Sequence, residues 1–332
     1  MSSSAPRVSV VMAVHDAGPF VGAAVESVLG QSFGDLELLV VDDASTDDSA
    51  AVLDRVRDPR LVRLSNGTHV GAAAARNRAL AVARGEYVAV HDADDLSRPE
   101  RLATQVAFLE RHGLVAACGT HFDRIDAAGR RIREEIPYPC SDALVAWWLL
   151  LFANPIAHSS AMFRRDVLWR TGPYDPALEA AHDREFLSRV FRAGRIAVLP
   201  EDLVTYRVHD ASLGARHRPV QRANSLRVRR DLLRWFLGDG APVEAVLHWY
   251  DAPIPPDHVE PLVDLFLRTY TEIVRRFEPS PEELSELRSD LEARLASVRR
   301  RDGRIPPDRL SRAYWKSVLP APVVRLLRRF LG

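Results

Sequence analysis

Cysteine and lysine are nearly missing from these 332 residues: Cys118 and Cys140 are the only cysteines, and Lys316 is the only lysine. Two cysteines make neither a disulfide framework nor a metal-ligand spacing, so buried thiols are the expectation, and their scarcity fits the cytosol. Basic charge rests on arginine, a bias that points to no function. An excess of either sign is missing too. Lys+Arg and Asp+Glu are 45 each, so the strongly basic balance of a nonspecific nucleic-acid binder is absent and no nucleic-acid partner is expected. No long apolar run occurs. The most apolar stretch, "ALVAWWLLLFA" at 143–153, is stopped by Asn154-Pro155, about half of the ~20 residues a bilayer crossing needs. It reads as a buried helix. The start, "MSSSAPRVSV", lacks the charged and apolar regions of a signal peptide. What is present, 47% hydrophobic and 27% charged residues, is the composition of a soluble globular chain with room for one large core or two domains.

The first third alternates. "VSVVMAV" (8–14), "LELLVV" (36–41), "RLVRLS" (60–65) and "YVAVH" (87–91) read as strands, the more apolar ones buried on both faces. Helices are expected over 19–30, after "DDASTDDS" with Ser45 or Thr46 as N-cap, and over 71–83. This alternation predicts a mostly parallel sheet sandwiched by helices, with ligands at the carboxyl ends of its strands. Beyond it, 115–125 reads as a strand, 159–168 as a strand-to-helix passage, 182–194 as a helix and 195–209 as extended. Arg-rich amphipathic helices are expected at 219–237, 241–250, 257–277 and 281–300.

Polar residues gather at the strand ends: His15 and Asp16, then Asp42 and Asp43, then "HDADD" (91–95). Asp92, Asp94 and Asp95 stand close enough to repel. A solvated capping loop is the bland reading. A calcium loop of EF-hand type fails on spacing: with Asp92 first, the sixth position is Ser97 and the twelfth Ala103, where Gly and Glu belong. A Mg²⁺ or Mn²⁺ held by one or two carboxylates and by substrate phosphates is the third reading. The placement at a buried strand's end, with Asp43 at another, favours it. Asp95 is expected to support the site or to cap the helix begun by "RPERL".

Four segments, "VSVVMAVHDAGPFVGAAVESVLGQSF", "LELLVVDDASTDDS", "GAAAARNRALAVARGEYVAVHDADD" and "RPERL", resemble the successive motifs of family 2 glycosyltransferases, the inverting enzymes of the GT-A fold. The likeness continues through "NPIAHSSAMFRRDVL", "GPYDP", "HDREFLSRV" and "YRVHDASL" and covers about 7–213. It implies a GT-A domain over 1–213, with a nucleotide-sugar half near 7–112 and an acceptor half near 113–213. A helical region of unknown role would follow over 214–332. It implies a nucleotide-sugar donor, UDP favoured, bound by Ala13, His15, Asp43, Arg76 and Asp92. It also implies a divalent cation, Mg²⁺ or Mn²⁺, held by Asp94 with Asp92 and His209, and Asp183 as general base. His158 would shape the acceptor side, the acceptor being a glycan, a glycolipid or a small molecule of polysaccharide or cell-envelope synthesis. Two departures stand out. His15-Asp16 replaces an aromatic-Asn pair, and His182 replaces an acid beside the base. The rival readings are a catalytically silent donor-binding or scaffolding relative and, further off, a nucleotidyltransferase, whose Gly-rich basic first loop is missing from "VHDAGPF". The tail "PAPVVRLLRRFLG" fits a packing helix, an oligomer contact or a basic amphipathic helix on an anionic membrane. The expected location is cytoplasmic, with peripheral contact at the inner face of the membrane.

Overall fold

β-Branched residues on both alternating faces of Val8–Val14 suit a strand covered on both sides, and every residue of it except Ala13 is buried. The structure, a computed structural model, describes residues 5–132, 139–210, 218–250 and 253–302. Its strands are β1 (Val8–Val14), β2 (Leu36–Asp42), β3 (Leu61–Ser65), β4 (Tyr87–Val90), β5 (Leu96–Ser97), β6 (Val115–Asp126), β7 (Arg131–Ile132), β8 (Met162–Arg164) and β9 (Arg195–Val208). They form one sheet in the order β3-β2-β1-β4-β8-β6-β9-β5, with β7 on β6. β3, β2, β1 and β4 are parallel, as are β6 and β9. β8 falls in the expected strand-to-helix passage and runs antiparallel between β4 and β6. Because β8 reverses twice, β6 and β9 run in the same sense as β4.

Helices α1 (Gly18–Leu29), α2 (Ser49–Leu53), α3 (Ala72–Val82) and α4 (Arg101–Arg111) connect the first strands. Val21, Val25, Val28, Leu53, Leu102 and Leu109 bury one sheet face with Val10, Met12, Leu38 and Val40. The residues between these on the strands, Val11, Leu39 and Val41, are buried on the opposite face, and α3 packs on β1 and β2. Period-2 alternation thus divides each strand between two helical layers. The N-cap expected at Ser45 or Thr46 does not form. α2 starts only at Ser49 after Asp48, because Ser45 Oγ is taken by the Asp16 amide and Thr46 by the Asp16 carboxylate.

The turn entering β4 shows how tightly this half is built. The Ser9 hydroxyl donates to Glu37 at 2.6 Å and accepts the Arg84 and Gly85 amides, while Arg84 clasps Glu37 with its guanidinium. A Cβ on Gly85 would stand 2.4 Å from Ser9 N and 2.8 Å from the carbonyl carbon of Val8. Both are backbone atoms of a central strand and cannot swing away. Gly85→Ala is expected to lower unfolding free energy by about 3 kcal/mol, at the upper end of overpacking costs. Urea unfolding of the two proteins at pH 7 checks this; an unchanged midpoint would contradict the close approach.

Contacts divide the chain into two compact units, one of residues up to 145 with 154–228, the other of 146–153 with the chain from 229 on. The first holds the sheet with α6 (Val167–Thr171) and α7 (His182–Ala193). α5 (Asp142–Leu151) covers most of the apolar run at 143–153 and is a buried helix. In the second unit, Trp147 and Phe152 pack edge-on against Phe266, and Trp147 Nε1 donates to Asp290 at 2.7 Å. α8 (Arg218–Leu237), α9 (Pro256–Phe277), α10 (Pro281–Asp302) and the 3₁₀ segment Val243–Tyr250 match the helices expected there. The tail "PAPVVRLLRRFLG" lies outside the described residues. Among them, no helix is long and apolar enough to cross a membrane.

Candidate active site

β2, β1 and β4 are neighbours and parallel, so their carboxyl ends share one rim, and β9 ends there as well. The residues expected from the sequence meet on that rim in three bonded groups. Among the described residues, three of the four non-glycine residues with positive φ, namely Asp16, Ala44 and Ala181, also fall on segments of this rim. Such backbone costs roughly 1–3 kcal/mol per residue and gathers at functional sites.

In the first group each aspartate has its own protein partner. Asp92 pairs with the Arg76 guanidinium, which is 6% exposed and so is no surface arginine. Arg76 Nη1 also donates to His182 Nε2 at 2.8 Å. Burial disfavours the Asp92 carboxylate, but Arg76 and then His158 outweigh it and hold the pKa well below the usual range. Asp95 is 1% exposed and accepts from Ser159 Oγ and from the Arg207 amide. It ties the loop to the turn at His158–Ser160 and to β9. It does not cap α4, whose N-cap position is Glu100. Asp94 accepts from His209 Nε2 at 2.8 Å, and its own carbonyl takes Arg207 Nε. Burial, then the charge of Asp92, raise the Asp94 pKa.

The second group surrounds Asp183, the second residue of α7, placed there by left-handed Ala181. Asn154 Nδ2 donates to Asp183 Oδ2 at 3.1 Å. His158 shares a 2.9 Å hydrogen bond with the Tyr174 hydroxyl and sits 3.8 Å from Asp92. Burial and then the Arg76 charge depress the imidazoles, His158 to about 4 and His182 to about 3, so both are neutral at pH 7. Burial works against ionising Asp183. His158, His182, the Arg184 amide and Asn154 outweigh it, so its pKa lies below the ordinary value and the group is a carboxylate at neutral pH. His182 Nδ1 and Arg76 Nε are buried without a protein partner.

The third group is Ala13, His15 and Asp43. Ala13 is half-buried in register with Val41. His15 Nδ1 donates to the Asp43 carbonyl at 2.9 Å and its ring stacks on His69 at 3.9 Å. Asp43 is 1% exposed. Its carboxylate accepts from Asn66 at 2.6 Å and from the Val70 and Gly71 amides at 3.0 and 2.8 Å, while His69 Nδ1 donates to the Asp43 carbonyl at 3.4 Å and lies 2.9 Å from Oδ2.

Whether these residues fit a divalent cation can be judged from the donor set. Among the described residues, no three or more Asp, Glu, His or Cys side chains are grouped to hold an ion by themselves. Asp94 with His209 offers one carboxylate and one imidazole. That suits a hard cation which draws its other oxygens from phosphates, not a closed protein cage. Asp92 is committed to Arg76 and fits less well as a direct ligand.

Residues 9–172 match the family model described as "Glycosyl transferase family 2". The chain belongs to this family. It is 34% identical over 168 residues to the putative glycosyltransferase EpsE of Bacillus subtilis, an alignment of 49% of this chain and 58% of that relative. It is 36% identical over 103 residues, 31% of this chain and 41% of the relative, to the Escherichia coli protein WfaP. That relative is named a UDP-Glc:alpha-D-GlcNAc-diphosphoundecaprenol beta-1,3-glucosyltransferase. TarS of S. aureus in complex with UDP-GlcNAc superposes with a TM-score of 0.57 at 18% identity over 89% of this chain and 88% of TarS. The mannosyltransferase PcManGT from Pyrobaculum calidifontis, with GDP-Man and Mn²⁺, gives 0.53 at 19% over 99% and 86%. At such identities the likeness shows the fold, that of the GT-A transferases.

Within this family 2 site, sequence reasoning gave no role to Asn154, Ser159, Tyr174 or Arg207. All four lie inside segments that carried the resemblance. Their partners are many residues away in the chain, so the segments flagged them without showing what they do. His69 carried no signal at all.

Proposed function

We propose that the chain moves a sugar from a nucleoside diphosphate donor, UDP favoured, to an acceptor hydroxyl with inversion at the anomeric carbon. The observation that carries this is the gathering on one rim of an ionised, partly buried Asp183, the Arg76-held Asp92 and the Asp94–His209 pair. Asp183 takes the acceptor proton as that oxygen bonds the anomeric carbon, and the bond from this carbon to the diphosphate breaks with its electron pair leaving on oxygen. No enzyme nucleophile is needed. Arg76, which holds Asp92, helps to seat the donor. A divalent cation, Mg²⁺ or Mn²⁺, held by Asp94 with His209 would supply positive charge to the departing diphosphate. Relatives support the substrate classes: TarS binds UDP-GlcNAc, and WfaP is named for UDP-Glc and a lipid-linked sugar acceptor. The acceptor is accordingly a glycan or glycolipid of cell-envelope polysaccharide synthesis, met at the cytoplasmic face of the membrane.

Calorimetric titration of UDP, GDP and dTDP, with Mn²⁺ and with chelator, tests this reading. One nucleotide should bind in a metal-dependent way, and Asp94→Ala should weaken it at least about tenfold, in line with loss of one metal-ligating carboxylate. Absence of binding by every nucleotide would sink the transferase reading in favour of a silent scaffold.

A further inference from the structure

The Asp183 carboxylate is held from two sides. The Arg184 amide comes from α7 itself, so it fixes the carboxylate relative to its own helix and to nothing else. Asn154 Nδ2 reaches Asp183 Oδ2 from outside α7, at 3.1 Å. The Ile156 amide donates to Asn154 Oδ1 at 3.3 Å, which turns the Nδ2 side toward the carboxylate. Asn154 begins a short stretch, 154–160, that also touches the aspartates after β4. His158 stands 3.8 Å from Asp92, and Ser159 Oγ accepts the Asp92 amide at 3.2 Å and donates to Asp95. The stretch is seated firmly on β6. Ile156 is 2% exposed, and a Cβ on Gly119 would stand 2.5 Å from Ile156 Cγ2. Ser160 Oγ accepts the Thr120 amide at 3.2 Å, and the Ser160 carbonyl accepts Gln105 Nε2 at 2.8 Å. One fixed run of backbone thus spans from Asp183 to the carboxylates at the end of β4, and Asn154 is the end that touches Asp183.

A base can take the acceptor proton only if its lone pairs point at the attacking oxygen, and a misplacement of about 1 Å can cost about 10²-fold in rate. We propose that Asn154 is a positioning residue for sugar transfer: by holding Asp183 Oδ2 it fixes the plane of the base carboxylate relative to the aspartates of the donor side. This rests on the reading of Asp183 as the base and deepens it. The bond from Asn154 also favours the ionised carboxylate, because it is donated to the charged form. The other ionisable groups that act on Asp183 are His158, His182, Arg76 and Tyr174, with Arg184 next to it on α7. All of these stay in place when Asn154 alone is changed.

Hydrolysis of UDP-glucose, UDP-GlcNAc, GDP-mannose and dTDP-glucose with Mn²⁺, followed from pH 4.5 to 8 on the full chain, decides it, alongside nucleotide dissociation constants. Asn154→Ala should lower the turnover of whichever donor the wild type cleaves by about 10–10²-fold, with nucleotide affinity unchanged. Its rate should fall away at higher pH than that of the wild type, because the carboxylate has lost a donor and gains a proton more readily. Asn154→Asp keeps the shape but sets a second carboxylate against Asp183, so its acid limb should move up further still. A residue that merely packs would lower the rate without moving the acid limb. The proposal is overturned alone if Asn154→Ala turns over like the wild type, if both variants keep the wild-type acid limb, or if Asn154→Ala loses nucleotide binding. Wild-type protein that binds no nucleotide and cleaves none of the four donors overturns it together with the transferase reading.

Discussion

Asp183→Asn should reduce sugar transfer by about 10²–10⁴-fold, the range that a positioned general base contributes, and leave nucleotide binding as it was. The amide fills the same volume at the start of α7 but has no basic oxygen. Its neighbours make the change clean. Asn154 can turn its amide to serve the new side chain, His158 and His182 are neutral at pH 7, and Arg76, which the Asp183 charge also favours, keeps Asp92 as its ion-pair partner. The carboxylate is held below its ordinary pKa, which keeps it ready to accept a proton in neutral solution and makes it a modest base. Strength as a base is thus not what recommends it; its place beside the donor-binding carboxylates is. Transfer to acceptor and hydrolysis of the donor by water should fall together, since both need a proton removed from the attacking oxygen. Full activity in Asp183→Asn would remove this residue as the base, and lost nucleotide binding would move it into the donor site.

The sequence displayed the frame of this molecule more fully than its contacts, for a physical reason. Strand and helix periods are local, so "VSVVMAV" and "LELLVV" gave β1 and β2 almost to the residue, and three acidic strand ends pointed to one rim. The strand-to-helix passage of "SSAMFRRDVL" holds β8 and α6, but three residues carry no period that tells where in the sheet they pair, antiparallel between β4 and β6. The same holds for the site. Asp92, Asp94 and Asp95 can be read as a cluster, but their partners Arg76, His209, Ser159 and Arg207 are all remote in sequence except Arg76. Arg76 answers the charge of Asp92, while burial and the neighbouring carboxylates still raise Asp94 and Asp95, so part of the repulsion that a cation and a diphosphate were expected to relieve persists. Asp43 can be read as an acid that ends a strand, and the fold adds that its carboxylate accepts from Asn66 and from the Val70 and Gly71 amides of the next loop.

Arg76→Met should be the most damaging single change to stability, costing about 3–5 kcal/mol at pH 7, as expected when one partner of a buried ion pair is removed. Methionine restores the bulk but leaves Asp92 charged with no cation in contact. The double variant Arg76→Met/Asp92→Asn, which removes both charges, should regain roughly half of that loss, since the penalty lies in the uncompensated carboxylate and not in the missing pair. A double variant as unstable as the sum of the two singles would show that Arg76 acts through packing. The pH dependence carries the same signature. Asp92 has a depressed pKa in the fold, so its pairing stabilises above the unfolded value near ~3.9 and is lost as acid takes the pH down toward the folded value. His158 and His182 are depressed to about 4 and about 3. Between the unfolded histidine value of ~6.5 and pH 4 the unfolded chain binds protons that the fold refuses, so wild-type stability must fall through that window. Arg76 is, after burial, the largest cause of both depressions. Without it the two imidazoles move back toward their ordinary values and the loss of stability from pH 6.5 to 4 becomes shallower. Denaturant midpoints at pH 7, 5.5 and 4 would then show the gap between wild type and Arg76→Met closing in acid. A gap constant across that range would mean that the guanidinium touches neither histidine electrostatically.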